Sequence, residues 1–279
     1  MKRIRLGLIG DNIAASRAPD LHHAAARLCG IDVVYERLVP KDLGLTFDQV
    51  VALALANDFR GLNITHPYKE RILNFVTIDD PALEAIGACN TVLLGDRMIG
   101  FNTDYTGYIS AFKERFDDMP PGIVVMAGSG GAGKAIAFAL AKLGAKSLRL
   151  FDVDEQKSQV LARTLRNGKP AMSVDIAPTL QQACEGADGM INCTPMGMVG
   201  YGGNAFAGIS LADRRWVCDA VYTPLETPFL RESQAAGVDI LSGYELFLYQ
   251  GIHAFELFTG RKVDASALRQ ALAMSTTGL

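Results

Sequence analysis

Val124 to Leu140 reads VVMAGSGGAGKAIAFAL. An apolar strand runs into a glycine-rich turn, and an alanine-rich helical stretch follows. Gly128, Gly130 and Gly133 fit the spacing GxGxxG within Gly128-Ser129-Gly130-Gly131-Ala132-Gly133. That spacing alone is weak; a strand before it and a helix after it give it meaning. The first glycine permits a tight turn, the second lets a pyrophosphate approach the backbone, and the third allows close helix–strand packing. The helix N-terminus adds N–H donors and the positive end of a dipole. A purely structural glycine turn is the competing reading. A Walker A loop fits less well, because Lys134 is followed by Ala135 rather than Ser or Thr.

The next strand ends in Leu150-Phe151-Asp152-Val153-Asp154, with Asp152 24 positions after Gly128. An acid about 20 residues beyond such a turn binds the adenosine ribose. Its carboxylate accepts hydrogen bonds from both ribose hydroxyls and repels a 2′-phosphate. No Arg lies between Asp152 and Lys157 to receive that phosphate, so NAD is favoured over NADP. The bland alternative is that Asp152 only caps the following helix. Farther on, Asn192 to Met198 reads NCTPMGM. A polar Thr194 with apolar Met196 beside it suits one face of a nicotinamide ring.

Outward from this unit, strand-like and helix-like segments alternate in both directions, which favours an α/β fold with a parallel or mostly parallel sheet. Upstream, IRLGLIG, DVVYERLV and GLNIT read as strands. Pro19 to Cys29 and Thr46 to Asn57 read as helices, and the chain is expected to turn helical after Pro67. NTVLL and MIGFN read as a hairpin across Gly95-Asp96. A helix from about Tyr105 to Arg115 leads to Asp117-Asp118-Met119-Pro120-Pro121-Gly122, where a domain boundary is expected. Downstream, SLRLFDVD, AMSVDIA, GMINCTP, WVCDAVY and VDILSG are strand-like, and Tyr244 to about Met274 is helical. The expected division is residues 1–106, a connecting helix and linker at 107–118, a dinucleotide unit at 119–242, and C-terminal helices at 243–279.

The chain has 279 residues, 49% hydrophobic and 20% charged, with net charge −3. That balance, without a long basic tract, argues against a phosphate-tracking nucleic-acid binder. No uninterrupted apolar run approaches the roughly 18 residues of a membrane span. Asp11 and Asn12 interrupt the first apolar run, so no signal peptide is expected. Cys29, Cys89, Cys184, Cys193 and Cys218 are odd in number and widely spaced, which fits reduced thiols in a cytoplasm. Neither HxxxH nor HExxH occurs, and no metal site is expected.

Polar residues cluster at the ends of the upstream segments: Ser16-Arg17-Ala18-Pro19, Asn63 to Lys69, Asn90-Thr91 and Asn102-Thr103-Asp104. If those ends share one edge, Asn63, Thr65, Lys69, Asn90, Asn102 and Asp104 surround a small polyhydroxylated ligand. Each hydroxyl needs a donor and an acceptor, and amides supply both. Lys69 near Asp104 is a dyad able to bind and move the proton of a reacting hydroxyl. Taken singly, each has an ordinary reading: a solvated lysine, a helix N-cap at Asp104, a turn residue at Asn90.

The pieces SRAP, GLNITHPYK, GACNTV, GFNTDYTG, GSGGAGKA, NCTPMGM, DAVYTPLETP and GYELFLYQG, in this order and spacing, resemble the shikimate/quinate dehydrogenase family over nearly the whole chain. The resemblance implies a two-lobed fold with a cleft: an N-terminal α/β substrate domain, a Rossmann domain, and C-terminal helices that return to the first. It implies reversible oxidation of the ring C3 hydroxyl of shikimate or quinate, with hydride passed to a nicotinamide. Lys69 and Asp104 match the catalytic pair. Ser16, Asn63, Thr65, Asn90, Tyr222 and Gln250 match substrate-pocket residues, and Gly243 matches a cofactor-side glycine. Ala18 departs from the pattern, where many members carry a second Ser or a Thr on the substrate carboxylate. NADP-using members usually carry Asn-Arg-Thr where this chain has Asp152-Val153-Asp154, which looks closer to NAD-dependent quinate/shikimate dehydrogenases. An aminoshikimate dehydrogenase and a non-catalytic ligand sensor are the alternatives; a monomer or homodimer is expected.

Overall fold

The computed structural model, which describes residues 3–168 and 171–276, begins with β1 (Ile4–Ile9), whose last four residues are buried. α1 (Ala18–Leu28) follows, with Pro19 and Asp20 in its first turn and Arg27 in its last, both charges opposing the helix dipole. Next come β2 (Val33–Leu38), α2 (Pro40–Leu43), α3 (Phe47–Ala56), β3 (Phe59–Ile64), α4 (Pro81–Ile86), β4 (Thr91–Leu93) and β5 (Ile99–Phe101). α3 begins at a capping box: Thr46 Oγ1 accepts the Gln49 N–H, and Gln49 Oε1 accepts the Thr46 N–H.

The first sheet has the order β2-β1-β3-β4-β5. β1 runs parallel to β2 and β3, whereas β4 is antiparallel to both its neighbours. Asn63 pairs with Thr91, and Thr91 with Phe101, so the end of β3, the start of β4 and the end of β5 lie side by side. Phe47, Val50, Val51, Leu62 and Ile64 form the core beneath.

The helix expected after Pro67 does not form. Residues 66–70 are a turn, followed by one 3-10 turn at Arg71–Asn74. The reason is a competing partner: the Lys69 carbonyl accepts the Cys89 N–H at 2.8 Å, which ties this segment to the residues leading into β4 instead of to its own helix.

The second unit comprises α5 (Thr103–Phe116), β6 (Ile123–Ala127), α6 (Gly131–Lys142), β7 (Ser147–Phe151), α7 (Glu155–Asn167), β8 (Ser173–Ile176), α8 (Leu180–Cys184), β9 (Gly189–Asn192), β10 (Trp216–Asp219), α9 (Pro228–Ala235) and β11 (Asp239–Leu241). Its strands are all parallel, in the order β11-β10-β9-β6-β7-β8. Successive strands step outward from β6 to β8, then the chain returns to the other side of β6 with β9. The carboxyl ends of strands at such a reversal are where ligands bind in open α/β sheets. α10 (Gly243–Thr259) and α11 (Ala265–Thr276) complete the chain.

By packing, one unit runs to Thr103 and resumes at Leu248, and the other is Asp104–Phe247. α5, expected as a connector, thus groups with the second unit from Asp104 onward. Its aromatic face explains this. Phe112 meets Trp216 edge-on at 5.1 Å, Phe116 lies 5.9 Å from the same ring, and both Trp216 and Phe112 are fully buried. The helical tail breaks between Thr259 and Ala265 rather than running through. From Leu248 on, α10 packs in the first unit, where Phe255 and Phe258 lie about His22 of α1 at 6.0 and 5.9 Å. Among the described residues no helix is long and apolar enough to cross a membrane.

Candidate active site

The strand register of the first unit draws its polar residues into one buried network. Tyr35 on β2 donates its hydroxyl to Asn63 Oδ1 at 2.8 Å. Asn63 Nδ2 donates to Thr91 Oγ1 at 3.1 Å and to the Asn90 carbonyl at 3.5 Å. Thr91 Oγ1 donates to Asn90 Oδ1 at 3.0 Å. Asn90 Oδ1 also accepts the Thr103 N–H at 2.7 Å, and Asn90 Nδ2 donates to Thr103 Oγ1 at 3.0 Å. Tyr35, Asn63, Asn90, Thr91 and Thr103 are all under a tenth exposed.

This changes what the two amides are for. Asn63 has both N–H groups and its carbonyl engaged within the fold, so it braces the end of β3 instead of offering an amide outward. Asn90 keeps one N–H over and fixes the start of α5, the helix whose first turn carries the half-buried Asp104. Thr65 is half-buried; its N–H is held by the Ile9 carbonyl at 2.9 Å, and its carbonyl accepts the Tyr68 N–H.

Lys69 is half-buried on the turn after the cis His66–Pro67 bond. Two residues outside the sequence expectations hold that turn. Tyr68 donates its hydroxyl to Asp11 Oδ1 at 3.0 Å, and its ring stacks on Phe47 at 4.5 Å. Asp11 was legible only as an interruption of the first apolar run; that it meets Tyr68 follows from β1 and β3 being neighbours. Ser16 shares no hydrogen bond with the Asn63–Asn90 network among the described residues. Its Oγ accepts the Ala18 N–H at 3.3 Å and its carbonyl accepts Arg37 Nη2 at 2.7 Å. Gln250 is half-buried on α10.

In the second unit the glycine turn is built as its spacing predicts. Gly128 has φ +96°, and a Cβ there would lie 2.7 Å from the Cys193 carbonyl carbon. A Cβ on Gly133 would lie 2.6 Å from the Gly128 carbonyl oxygen. Gly130 is the N-cap of α6 with open space where a side chain would stand, and Gly131 and Ala132 form the first turn. Ser129 is buried against Ser158, Oγ to Oγ 3.1 Å.

Asp152 lies just beyond β7. Its Oδ2 accepts the Ser129 N–H at 2.7 Å and its Oδ1 accepts the Asp154 N–H at 2.9 Å. The N-cap of α7 is Asp154, so Asp152 does not cap that helix. Each carboxylate oxygen retains acceptor capacity for a hydroxyl. A helix N-terminus for a pyrophosphate and an acid for a ribose therefore stand on adjacent strands, which fits a dinucleotide. Thr194 donates its hydroxyl to Asn192 Oδ1 at 2.6 Å, and Met196 beyond it is 38% exposed. Tyr222 stacks on Phe247 at 5.0 Å, and Gly243 opens α10 against the Ala220–Val221 backbone. Among the described residues no group of three or more His, Cys, Asp or Glu could hold a metal ion.

Sequence reasoning overlooked Asp219, the last residue of β10. It is fully buried and accepts from Asn192 Nδ2, the Val221 N–H and Thr227 Oγ1 at 2.9, 3.0 and 2.6 Å. Burial pushes its carboxyl up to about 6, against the opposing pull of those hydrogen bonds. A charged residue closing the apolar run WVC was the available signal.

Two family models match: the shikimate dehydrogenase substrate binding domain over residues 8–92, and the shikimate 5'-dehydrogenase C-terminal domain over residues 243–273. The quinate/shikimate dehydrogenase (NAD(+)) of Corynebacterium efficiens is 37% identical over 273 residues, which is 95% of this chain and 96% of that protein. The shikimate dehydrogenase (NADP(+)) of Pseudarthrobacter chlorophenolicus is 36% identical, over 95% of this chain and 92% of its own. Among solved structures, quinate dehydrogenase from Corynebacterium glutamicum in complex with NAD superimposes with a TM-score of 0.89 at 34% identity, covering 98% of this chain and all of that one.

Proposed function

The chain belongs to the shikimate dehydrogenase family, and on that premise we propose that it reversibly oxidises the ring C3 hydroxyl of quinate or shikimate with NAD. It is an oxidoreductase that uses a nicotinamide dinucleotide and a small-molecule substrate. The choice of NAD rests on Asp152, an acid with spare acceptor capacity held at 2.7 Å on the glycine turn. Relatives of near-equal identity divide between NAD and NADP, so this residue decides the reading.

The bound nicotinamide supplies the hydride acceptor. The chain does the rest. Gly130 and the first turn of α6 hold the pyrophosphate, Asp152 the adenosine ribose, and Thr194 and Met196 the nicotinamide end. Lys69 binds the oxygen of the reacting hydroxyl and orients it. Asp104 receives the hydroxyl proton, directly or through water, as the carbon–hydrogen bond gives up its electron pair and the alcohol becomes a ketone. Asn90 gives its remaining N–H to a ring hydroxyl, with Thr65, Tyr222 and Gln250 as further contacts, and Ser16 binds the carboxylate.

Initial rates with quinate, shikimate and 3-dehydroshikimate, each with NAD(H) and NADP(H), test this directly. Turnover of either acid with a clear preference for NAD is expected. Equal kcat/KM for the two dinucleotides would overturn the cofactor assignment, and binding of quinate or shikimate without turnover would mean a sensor rather than an enzyme.

A further inference from the structure

β9 and β10 end together, with Asn192 and Asp219 paired in register and both fully buried. A carboxylate can only accept hydrogen bonds. Asp219 therefore fixes which way the Asn192 amide faces: Nδ2 must point to Asp219 Oδ1, at 2.9 Å. The same Nδ2 donates to the Met196 carbonyl at 2.9 Å. Asn192 Oδ1 is thereby turned to Thr194, whose N–H and hydroxyl both donate to it at 2.9 and 2.6 Å.

The consequence for Thr194 is a set polarity. Its one hydroxyl proton is committed to Asn192, and one lone pair takes the Met196 N–H at 3.1 Å. What the hydroxyl has left is an acceptor, which suits the N–H of a carboxamide. The turn is also fixed in place from the other side, since the Cys193 N–H is held by the Ala127 carbonyl at 2.7 Å and Gly128 packs on the Cys193–Thr194 peptide. Asp219 is steadied in turn by Thr227, the N-cap of α9.

We propose that Asp219 is a positioning residue: through Asn192 it sets the place and hydrogen-bond polarity of the Thr194–Met196 turn for the nicotinamide half of the dinucleotide. This rests on the dinucleotide reading given above. A carboxylate buried without a cation among its hydrogen-bond partners is a costly way to cap a helix or close a strand, whereas as a pure acceptor it reinforces the one Asn192 orientation that the Met196 carbonyl and the Thr194 N–H also require.

The test compares NAD with ADP-ribose, which lacks the nicotinamide but keeps every group that Asp152 and the glycine turn hold. Both are titrated into the unmutated full chain, Asp219→Leu and Thr227→Val, with folding checked by circular dichroism. In Asp219→Leu, which keeps the bulk but removes the acceptor for Asn192 Nδ2, NAD should bind about tenfold more weakly or worse, while ADP-ribose affinity stays within about twofold. Thr227→Val, which removes one of the bonds on Asp219, should move NAD in the same direction by less, and it carries the test if Asp219→Leu does not fold. Equal weakening of NAD and ADP-ribose would mean a general structural role, and unchanged NAD binding would mean no role; either overturns the proposal. Failure of the unmutated chain to bind either ligand would instead overturn the dinucleotide reading itself.

Discussion

Oδ2 of Asp152 accepts the backbone N–H of Ser129 at 2.7 Å, so the acid proposed to bind the ribose also supports the glycine turn. Two substitutions separate these roles. Asn keeps an acceptor for Ser129 but loses the charge that repels a 2′-phosphate. Asp152→Asn should therefore cut the NAD-over-NADP preference about tenfold, a change of about 1.4 kcal/mol. Asp152→Ala also leaves Ser129 without its partner and should weaken both dinucleotides. The measurement is kcat/KM for each dinucleotide in all three proteins; a ratio that does not move in Asp152→Asn would remove Asp152 from cofactor choice.

Lys69 sits on a turn clamped by Tyr68 and by the Cys89 N–H, which keeps the backbone in place when the side chain is cut back. Lys69→Ala should lower kcat by about 10²- to 10⁴-fold, the usual loss when an assisted proton transfer is disabled, because Asp104 would then have to take the proton from an oxygen that no cation polarises. KM for the acid should change far less, because the contact is made chiefly in the transition state. A variant with normal kcat and a greatly raised KM would show that Lys69 only binds.

What was legible in the sequence was local. The glycine turn, the strand before it and the helix after it are encoded within seventeen consecutive residues, Val124 to Leu140. The start of α3 is a four-residue signal, Thr46 to Gln49. What escaped depends on residues far apart. Nothing near Asn63 in the chain says that Tyr35 and Thr91 will take its amide; that needs β3 beside β4 and near β2. The aromatic face of α5 was visible, but its partner Trp216 lies a hundred positions on. The expectation of helix after Pro67 is local, and a bond from the Cys89 N–H, twenty positions on, ties the Lys69 carbonyl elsewhere.

His22 gives the first unit a pH dependence. It is buried, stacks on Tyr35 at 4.5 Å, and has no partner for Nδ1 among the described residues. Burial drives its pKa from 6.5 down to about 3, with a hydrogen bond to Asn63 opposing. A folded-state pKa below the unfolded one means stability that is fully present above about 6.5 and lost as pH falls toward 3. Over that range the unfolded chain binds a proton that the folded chain does not, so this residue contributes a slope of about 1.4 kcal/mol per pH unit. His22→Gln removes the titration, and its unfolding free energy in denaturant should fall less between pH 6.5 and 4 than that of the unmutated protein. Parallel curves would show that His22 is not neutral and buried in solution.

Ala18 bears on which acid is preferred. It is the first residue of α1, and its N–H reaches Ser16 Oγ at 3.3 Å, so residues 16 and 18 share one turn. Many relatives by the sequence motif carry a second hydroxyl here as a clamp on the substrate carboxylate; this chain has a methyl. A hydrogen bond to a charged group contributes roughly 1.5–3 kcal/mol, so its absence should raise KM for shikimate about tenfold or more. If residue 18 faces the carboxylate, a methyl in place of that hydroxyl should leave room for the hydroxyl that quinate bears on the same carbon as its carboxylate. Ala18→Ser should therefore lower KM for shikimate about tenfold and help quinate less, because the new hydroxymethyl crowds that extra group. Steady-state rates on both acids in both proteins give the answer, and an unchanged ratio of shikimate to quinate efficiency would mean that residue 18 does not face the carboxylate.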